Sequence, residues 1–322
     1  MKSKDTRKKG FDKFKSILDF WATNSEEAGW NISSTDEGSQ KMLEEESDKQ
    51  VQIQMGSDVV DDFIIDEDTS DDERMIVNMG PQHPSTHGVL RLQAELEGEI
   101  VRRVKPIIGY LHTGMEKTGE ELNYFQGPTN TTRMDYLSPF FNELVFSLTT
   151  EQLIGIEVPE RAKTIRILMT ELNRISSHLV ALATGGMDIG ALSMMIFGFR
   201  ERELLLNFFE KTTGLRMNHN YIRPGGVAAD LPDGWQKDVK EILKNIPEKL
   251  KDYDDMLLDN PIWKGRLQNV GILTTEECFA YGSTGASLRA AGSAGELRKS
   301  TRYDGIEQYT LEIAGLKEIK VL

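Results

Sequence analysis

Between Val89 and Leu96 apolar and polar side chains alternate, with Leu90, Leu92, Ala94 and Leu96 on one face and Arg91, Gln93 and Glu95 on the other. A period of two predicts a half-buried strand. Gly98 marks a turn into a strand over 100–110, and Ile76–Met79 adds another, so a small antiparallel sheet is expected. The period then lengthens. Ser138 followed by Pro139 reads as an N-cap and first helical position, opening a helix to about Ile154. Pro159 opens the next, in which Ala162, Ile165, Leu168, Leu172, Ile175, Leu179 and Leu182 form one apolar stripe. A third helix is expected from about Ile189 to Thr213, stopped by Gly214. A fourth covers 233–258, with a kink at Pro247. The pattern predicts an α+β protein, a small antiparallel β-sheet domain over 75–112 followed by a core helical bundle.

The longest apolar run, Leu179 to Phe199, approaches membrane length but is broken by Gly185, Gly186, Asp188 and Gly190. A carboxylate at mid-bilayer costs on the order of 2.5–3.5 kcal/mol. Two buried helices joined by a glycine turn fit the run better. Charge separates the chain further. Of the net −14 over 322 residues, residues 1–20 carry +4, residues 21–74 carry −14, and the rest carries −4. Residues 1–74 therefore read as an acidic, disordered extension. Within it, Phe11, Phe14, Ile17 and Phe20 have helical spacing, which suits either an amphipathic docking helix or a frayed tail. The near-balanced remainder argues against a nucleic-acid surface. A single cysteine, Cys278, excludes an internal disulfide, and it excludes an iron–sulfur cluster or Cys-rich zinc site built by this chain alone.

All five histidines lie between positions 83 and 219. His83 and His87 stand four apart in GPQHPSTHG, a spacing that holds zinc when it lies on a helix. Pro84 and the strand that follows predict a loop instead. Two readings stay open there: an imidazole at the mouth of a pocket, or a turn whose histidines are polar caps. Asp188 is a lone carboxylate in an apolar stretch, either the N-cap of the helix starting near Ile189 or a partly buried group that orients a histidine. No P-loop, dinucleotide fingerprint or nucleophile elbow is present, and the glycine spacing of GSTGASLRAAG (282–292) fits none of them.

Several longer strings carry more. GPQHPSTHGVLRL (80–92), IGYLHTGMEKTGE (108–120), RMDYLSPF (133–140), ELNRISSHLVALATGGMDIGAL (171–192), FRERE (199–203), YIRPGGVAADLP (221–232) and GSTGASLRAAG resemble the D-type, or 49-kDa-type, subunit of respiratory complex I. That family is the quinone-site subunit of the proton-pumping NADH:quinone oxidoreductases. The resemblance runs from about Met75 to Tyr309, which sets a helical core over 113–309 and a divergent end over 310–322. It implies a fold like the large subunit of nickel–iron hydrogenases without the metal site, since the CxxC pairs that hold nickel are absent. It also implies a site: Tyr136 at the quinone headgroup, His87 with Asp188 as its partner, and Arg133 near a terminal cluster held by a neighbour. Quinone is then the substrate, while Fe–S clusters and FMN lie only in partner subunits. The implied partners are the Fe–S-bearing B-type subunit, the C-type subunit, other complex I subunits and the membrane arm, on the cytoplasmic face of the bacterial cell membrane.

Many relatives place a histidine beside the terminal cluster where this chain has Asn218. An amide there favours a lower-potential acceptor, menaquinone over ubiquinone; the alternative is that His219 turns inward and supplies the contact. The pattern ends after Tyr309, so the chain reads as C-terminally truncated. A non-catalytic remnant or assembly module of the same complex is the rival expectation.

Overall fold

The computed structural model describes residues 74–293, 296–300 and 303–309. The acidic extension up to residue 73, with its Phe11–Trp21 segment, and the end over 310–322 that was read as divergent lie outside the described residues. The chain divides into two compact units. The described part of the first is the sheet, Arg74–Met79 with Arg91–Ile107; the second is Gly80–Leu90 with everything from Ile108 onward. The histidine loop, placed with the sheet by the 75–112 boundary, thus groups with the helices.

In the first unit, β1 (Arg74–Met79), β2 (Arg91–Glu97) and β3 (Ile100–Ile107) pair antiparallel in sequence order. Val77 faces Ala94 and Met79 faces Leu92, and the ladder shifts register between Glu95 and Leu96. Among the described residues of this unit only Gln93 and Ala94 are buried, while Ile100, Val101 and Val104 are exposed. The alternation of apolar residues therefore predicts the strand correctly but not a buried face. The extra residue at the register shift is Arg102 on β3, which puts Val101 and Ile100 out of step with Val104, while β2 keeps its own alternation.

The second unit is helical. After α1 (Met115–Glu121) and α2 (Gly127–Thr131) comes α3, Pro139–Ile154, which begins at the expected proline and ends at Gly155 in the left-handed region. Next is α4, Glu160–Asp188, about 43 Å of unbroken helix. α5 (Ser193–Thr213) stops at Gly214 with φ 83°, as predicted. Residues 222–227 form a two-residue ribbon of β4 (Ile222–Arg223) and β5 (Gly226–Val227). α6 (Trp235–Tyr253) carries Pro247 inside it and relaxes into a π-helical turn, Asp254–Leu258. Shorter helices follow over 261–267, 275–280, 285–290 and 297–300. The core lies where α3 to α6 meet, around Phe140, Met169, Leu205, Phe209, Tyr221 and Ile242.

Two expectations fail in this unit, for one reason. Gly185 and Gly186 do not make the turn; α4 runs through them, and the chain reverses at Gly190, φ 98°. Gly186 serves close packing rather than bending, as does Gly198 on α5, while Gly185 faces open space. A Cβ on Gly186 would lie 2.7 Å from the Met194 Cβ, and one on Gly198 would lie 2.7 Å from the Ala183 Cβ. Because α4 continues this far, Asp188 is its last residue and not the N-cap of α5, whose cap position is Leu192. Among the described residues, no helix is long and apolar enough to cross a membrane.

Candidate functional site

The loop between β1 and β2 is a compact turn built from its own side chains. Pro84–Thr86 forms a single 3₁₀ turn that excludes the two-histidine helix face a zinc site needs. His83 caps it, its Nδ1 accepting from the Ser85 N–H at 3.1 Å. The fully buried Thr86 hydroxyl is set 3.1 Å from the carbonyls of both Pro81 and His83. A Cβ on Gly80 would overlap the Leu90 carbonyl oxygen, so only glycine lets the two ends of the loop close. The two histidines therefore divide the readings left open above. His83 is the polar cap. His87, at the end of the turn with φ 53°, has its ring free to reach elsewhere.

It reaches Asp188. His87 Nε2 lies 3.2 Å from Asp188 Oδ2, across 101 positions of sequence, with the two side chains 43% and 32% exposed. The loop packs on the end of α4, which brings the two together. The position of Asp188 is informative. The C-terminal end of a helix carries partial negative charge, so a carboxylate there is mildly unfavourable unless a donor faces it. An exposed pair of this kind stabilises by about 0–1 kcal/mol. The pair is thus weakly held and remade at little cost.

Arg133 and Tyr136 lie on the irregular segment between α2 and α3. Its backbone is fixed at several points: Asn173 on α4 donates to the Leu137 carbonyl at 3.1 Å, and Asn142 donates to that of Asp135 at 2.9 Å. The Ser138 and Ser177 hydroxyls stand 3.4 Å apart. Arg133 turns back onto the Thr129 carbonyl, and Tyr136 is 40% exposed. Its hydroxyl makes no hydrogen bond among the described residues. The four expected residues thus form two groups, both anchored on α4. His87 and Asp188 touch at its end, while Arg133 and Tyr136 sit on a segment tied to it at Asn173 and Ser177. Eleven residues, about 16 Å of helix rise, separate Ser177 from Asp188. No hydrogen bond joins the two groups among the described residues.

Asn218 is held in the left-handed region, φ 54°, as is Asn220, φ 50°. His219 does turn inward, but into the core. Its ring stacks on Phe140 at 4.1 Å, meets Phe209 edge-on at 5.3 Å, and has Nδ1 3.0 Å from the Leu215 carbonyl. Burial pushes its pKa down to about 4, so at neutral pH it is uncharged and supplies no titrating proton.

With this geometry in place, comparison with known proteins settles the family. Residues 188–320 match the family described as respiratory-chain NADH dehydrogenase, 49 Kd subunit, so the family pattern runs past Tyr309, where it was expected to end. The chain is 54% identical to the D-type subunit of the NADH-quinone oxidoreductase of Mycobacteroides abscessus, over 82% of this chain and 62% of that protein. It is 58% identical to the corresponding protein of Rhodococcus jostii and 57% identical to one from Salinispora arenicola, each over 76% of this chain and 56% of the relative. The chain belongs to the 49 kDa complex I subunit family. It spans between half and two thirds of the length of the family members it matches.

Three buried residues escaped the sequence reading. Glu143 and Glu151 are the only ionisable side chains of α3, and both point into the protein. Glu143 accepts four hydrogen bonds: from the Thr132 hydroxyl (2.7 Å) and Asn220 N–H (2.6 Å) at Oε1, and from the Tyr221 and Ile222 N–H groups (both 2.9 Å) at Oε2. Glu151 accepts from the Gly225 N–H at 2.7 Å and pairs with the fully buried Arg166 at 2.5 and 3.1 Å. Their signal was present but faint: two lone acidic residues in an otherwise uncharged helix.

Proposed function

We propose that this chain is the quinone-site subunit of an NADH:quinone oxidoreductase, passing electrons from a partner's terminal Fe–S cluster to quinone in step with proton translocation. The observation that carries the reading is the His87–Asp188 contact, two residues far apart in sequence that the family resemblance paired and that stand 3.2 Å apart. Quinone takes up two electrons and two protons to become quinol. As charge arrives its carbonyl oxygens become basic, and an O–H or imidazolium N–H set against them stabilises that charge and delivers the protons. In this reading the Tyr136 hydroxyl donates to one carbonyl and His87 supplies a proton on the same headgroup. Asp188, whose oxygen already faces the imidazole, holds the ring and is left charged once the proton has gone. Arg133, just before Tyr136, places positive charge toward the partner's cluster.

The chain contributes no redox centre of its own to this scheme; Fe–S clusters and FMN are supplied by the B-type subunit and the other partners, with the C-type subunit and the membrane arm completing the assembly. We place it as a peripheral subunit on the cytoplasmic face, with a hydrogenase-like fold lacking the metal site. Asn218 cannot gain a proton and His219 is held neutral, which supports a low, weakly pH-dependent cluster potential and menaquinone over ubiquinone. The test is Tyr136→Phe in the assembled complex. Quinone reduction should fall strongly while reduction of artificial acceptors upstream stays normal. Unchanged quinone reduction removes Tyr136 from the site.

A further inference from the structure

The segment that carries Arg133 and Tyr136 and the loop that carries Asn218 are both irregular, and neither is held by a ladder of its own. One side chain joins them. Thr132, adjacent to Arg133, and Asn220, two residues after Asn218, both donate to Glu143 Oε1, at 2.7 and 2.6 Å. The other oxygen takes the next two N–H groups of the same loop, those of Tyr221 and Ile222. Asn218 and Asn220 stand at φ 54° and 50°, a conformation that non-glycine residues hold only when their surroundings over-determine it. Successive N–H groups converging on one carboxylate supply that determination, because three backbone donors of one turn are satisfied by a single acceptor group.

The donors also favour one protonation state of the group. Three of the four neighbours are backbone N–H groups that can only donate, and they occupy both oxygens, so the carboxyl must accept on each side, a role the carboxylate fills best. Glu143 is fully buried and forms no ion pair among the described residues, so burial pushes its pKa up and only the four hydrogen bonds work against that rise. A carboxylate kept in such a place by polar contacts is an expensive way to close a loop. Its use is explained if the spacing it sets matters.

We propose that Glu143 is a positioning residue for the quinone site, its carboxylate fixing the Arg133–Tyr136 segment against the Asn218–Ile222 loop. The proposal rests on the quinone-site reading above. Glu143 does not touch quinone. It sets where the tyrosine hydroxyl and the cluster-facing loop stand relative to each other, through Thr132 on one side and three backbone N–H groups on the other.

The experiment uses the assembled complex in membranes, with Glu143→Gln, Thr132→Val and Tyr136→Phe prepared in parallel. Glu143→Gln keeps the shape but turns one acceptor into an NH₂ group, so donors on that side lose their partner. Thr132→Val removes only the link to the tyrosine segment. Each should raise the KM for quinone and lower kcat/KM by about 10- to 100-fold, the range that a small misplacement costs. Artificial-acceptor reduction and the amount of assembled complex should be unchanged. Unaltered KM and kcat in Glu143→Gln and Thr132→Val, with quinone reduction lost in Tyr136→Phe, overturns the positioning role and leaves the quinone reading standing. Quinone reduction unaltered in all three overturns both. A fall in kcat that merely follows the amount of complex, with KM constant, assigns Glu143 to folding and overturns the proposal. If Glu143→Gln does not assemble, Thr132→Val decides by the same KM criterion.

Discussion

Glu143 and Glu151 lie two turns apart on α3, are both buried, and both take backbone N–H groups from residues 220–225, yet their surroundings differ in kind. Glu151 faces a cation. Arg166 pairs with it twice, donates to the Gly226 and Arg223 carbonyls, and has Asp304 at 3.6 Å as a second carboxylate. Glu143 faces only dipoles: one hydroxyl and three N–H groups. Burial pushes its carboxyl above the usual range, and the four hydrogen bonds pull only part of the way back. The compensated end of the helix is a clamp that holds the fold. The uncompensated end lies beside Thr132 and Asn218, where the candidate site is assembled, and there the structure tolerates buried charge without a partner.

The largest effect separates the two ends by one chemical change, carboxylate to amide. Glu151→Gln leaves the fully buried Arg166 with only the more distant Asp304. Removing one member of a buried pair costs about 3–5 kcal/mol, and the remaining Asp304 sets the expectation near the lower figure. Glu143→Gln abandons no cation, and relief from burying a charge offsets part of the lost hydrogen bonds, so its cost should be smaller, about 1–2 kcal/mol. Urea unfolding of the purified chain, followed by tryptophan fluorescence, gives both numbers. Equal losses would erase the distinction between clamp and site.

A second effect of similar size depends on pH and belongs to the Glu143 end. His219, one position before Asn220, is held neutral by burial, its pKa lowered from 6.5 to about 4. The unfolded chain binds a proton through that interval and the folded one does not. His219 therefore contributes stability that is complete above pH 6.5 and is lost as pH falls toward 4, about 3 kcal/mol in all. His219→Phe keeps a ring against Phe140 and Phe209 and should flatten the stability profile between those limits. Subtracting the variant's curve from that of the parent isolates this histidine from the carboxyl groups that titrate nearby. A difference that stays constant over the interval would show that His219 is hydrated and already charged.

What could be read from the sequence follows from how local each cause is. Ser138 with Pro139, and Gly214 after Thr213, declare helix ends through neighbours one or two positions away, and both ends stand where they were expected. The Gly185–Gly186 pair misleads because Gly186 admits α5 against α4, a close approach that looks like a turn in the local pattern. The same limit applies to charge. In sequence Glu143 and Glu151 resemble ordinary solvated helix residues, since their backbone N–H partners lie more than 70 positions away along the chain, and Thr132 and Arg166, though nearer in sequence, stand on other elements. His219 invited a chemical role by its neighbourhood and proves to be a core ring. The pairing of His87 with Asp188 has no local signature either, and only the family resemblance brought those two positions together. Local periodicity, left to itself, favoured a helix cap.

The smallest stability effect completes the series with a third carboxylate. Asp188 is neither clamped nor buried: about a third of its side chain is exposed, and it faces a half-exposed imidazole. It also stands at the C-terminal end of α4, where the helix dipole opposes negative charge by about 0.3–1 kcal/mol. Asp188→Asn removes that opposition together with the His87 contact, two small terms of opposite sign, so unfolding free energy should stay within about 1 kcal/mol of the parent. Activity should respond differently. In the assembled complex Asp188→Asn and His87→Ala should each impair quinone reduction, and the double variant should lose less than the product of the two fold-losses, because residues acting as one unit are not independent. Those outcomes together would assign Asp188 to proton handling rather than to stability. A stability loss approaching that of Glu151→Gln, or strictly multiplicative losses in turnover, would make Asp188 a structural group that happens to lie beside a ring.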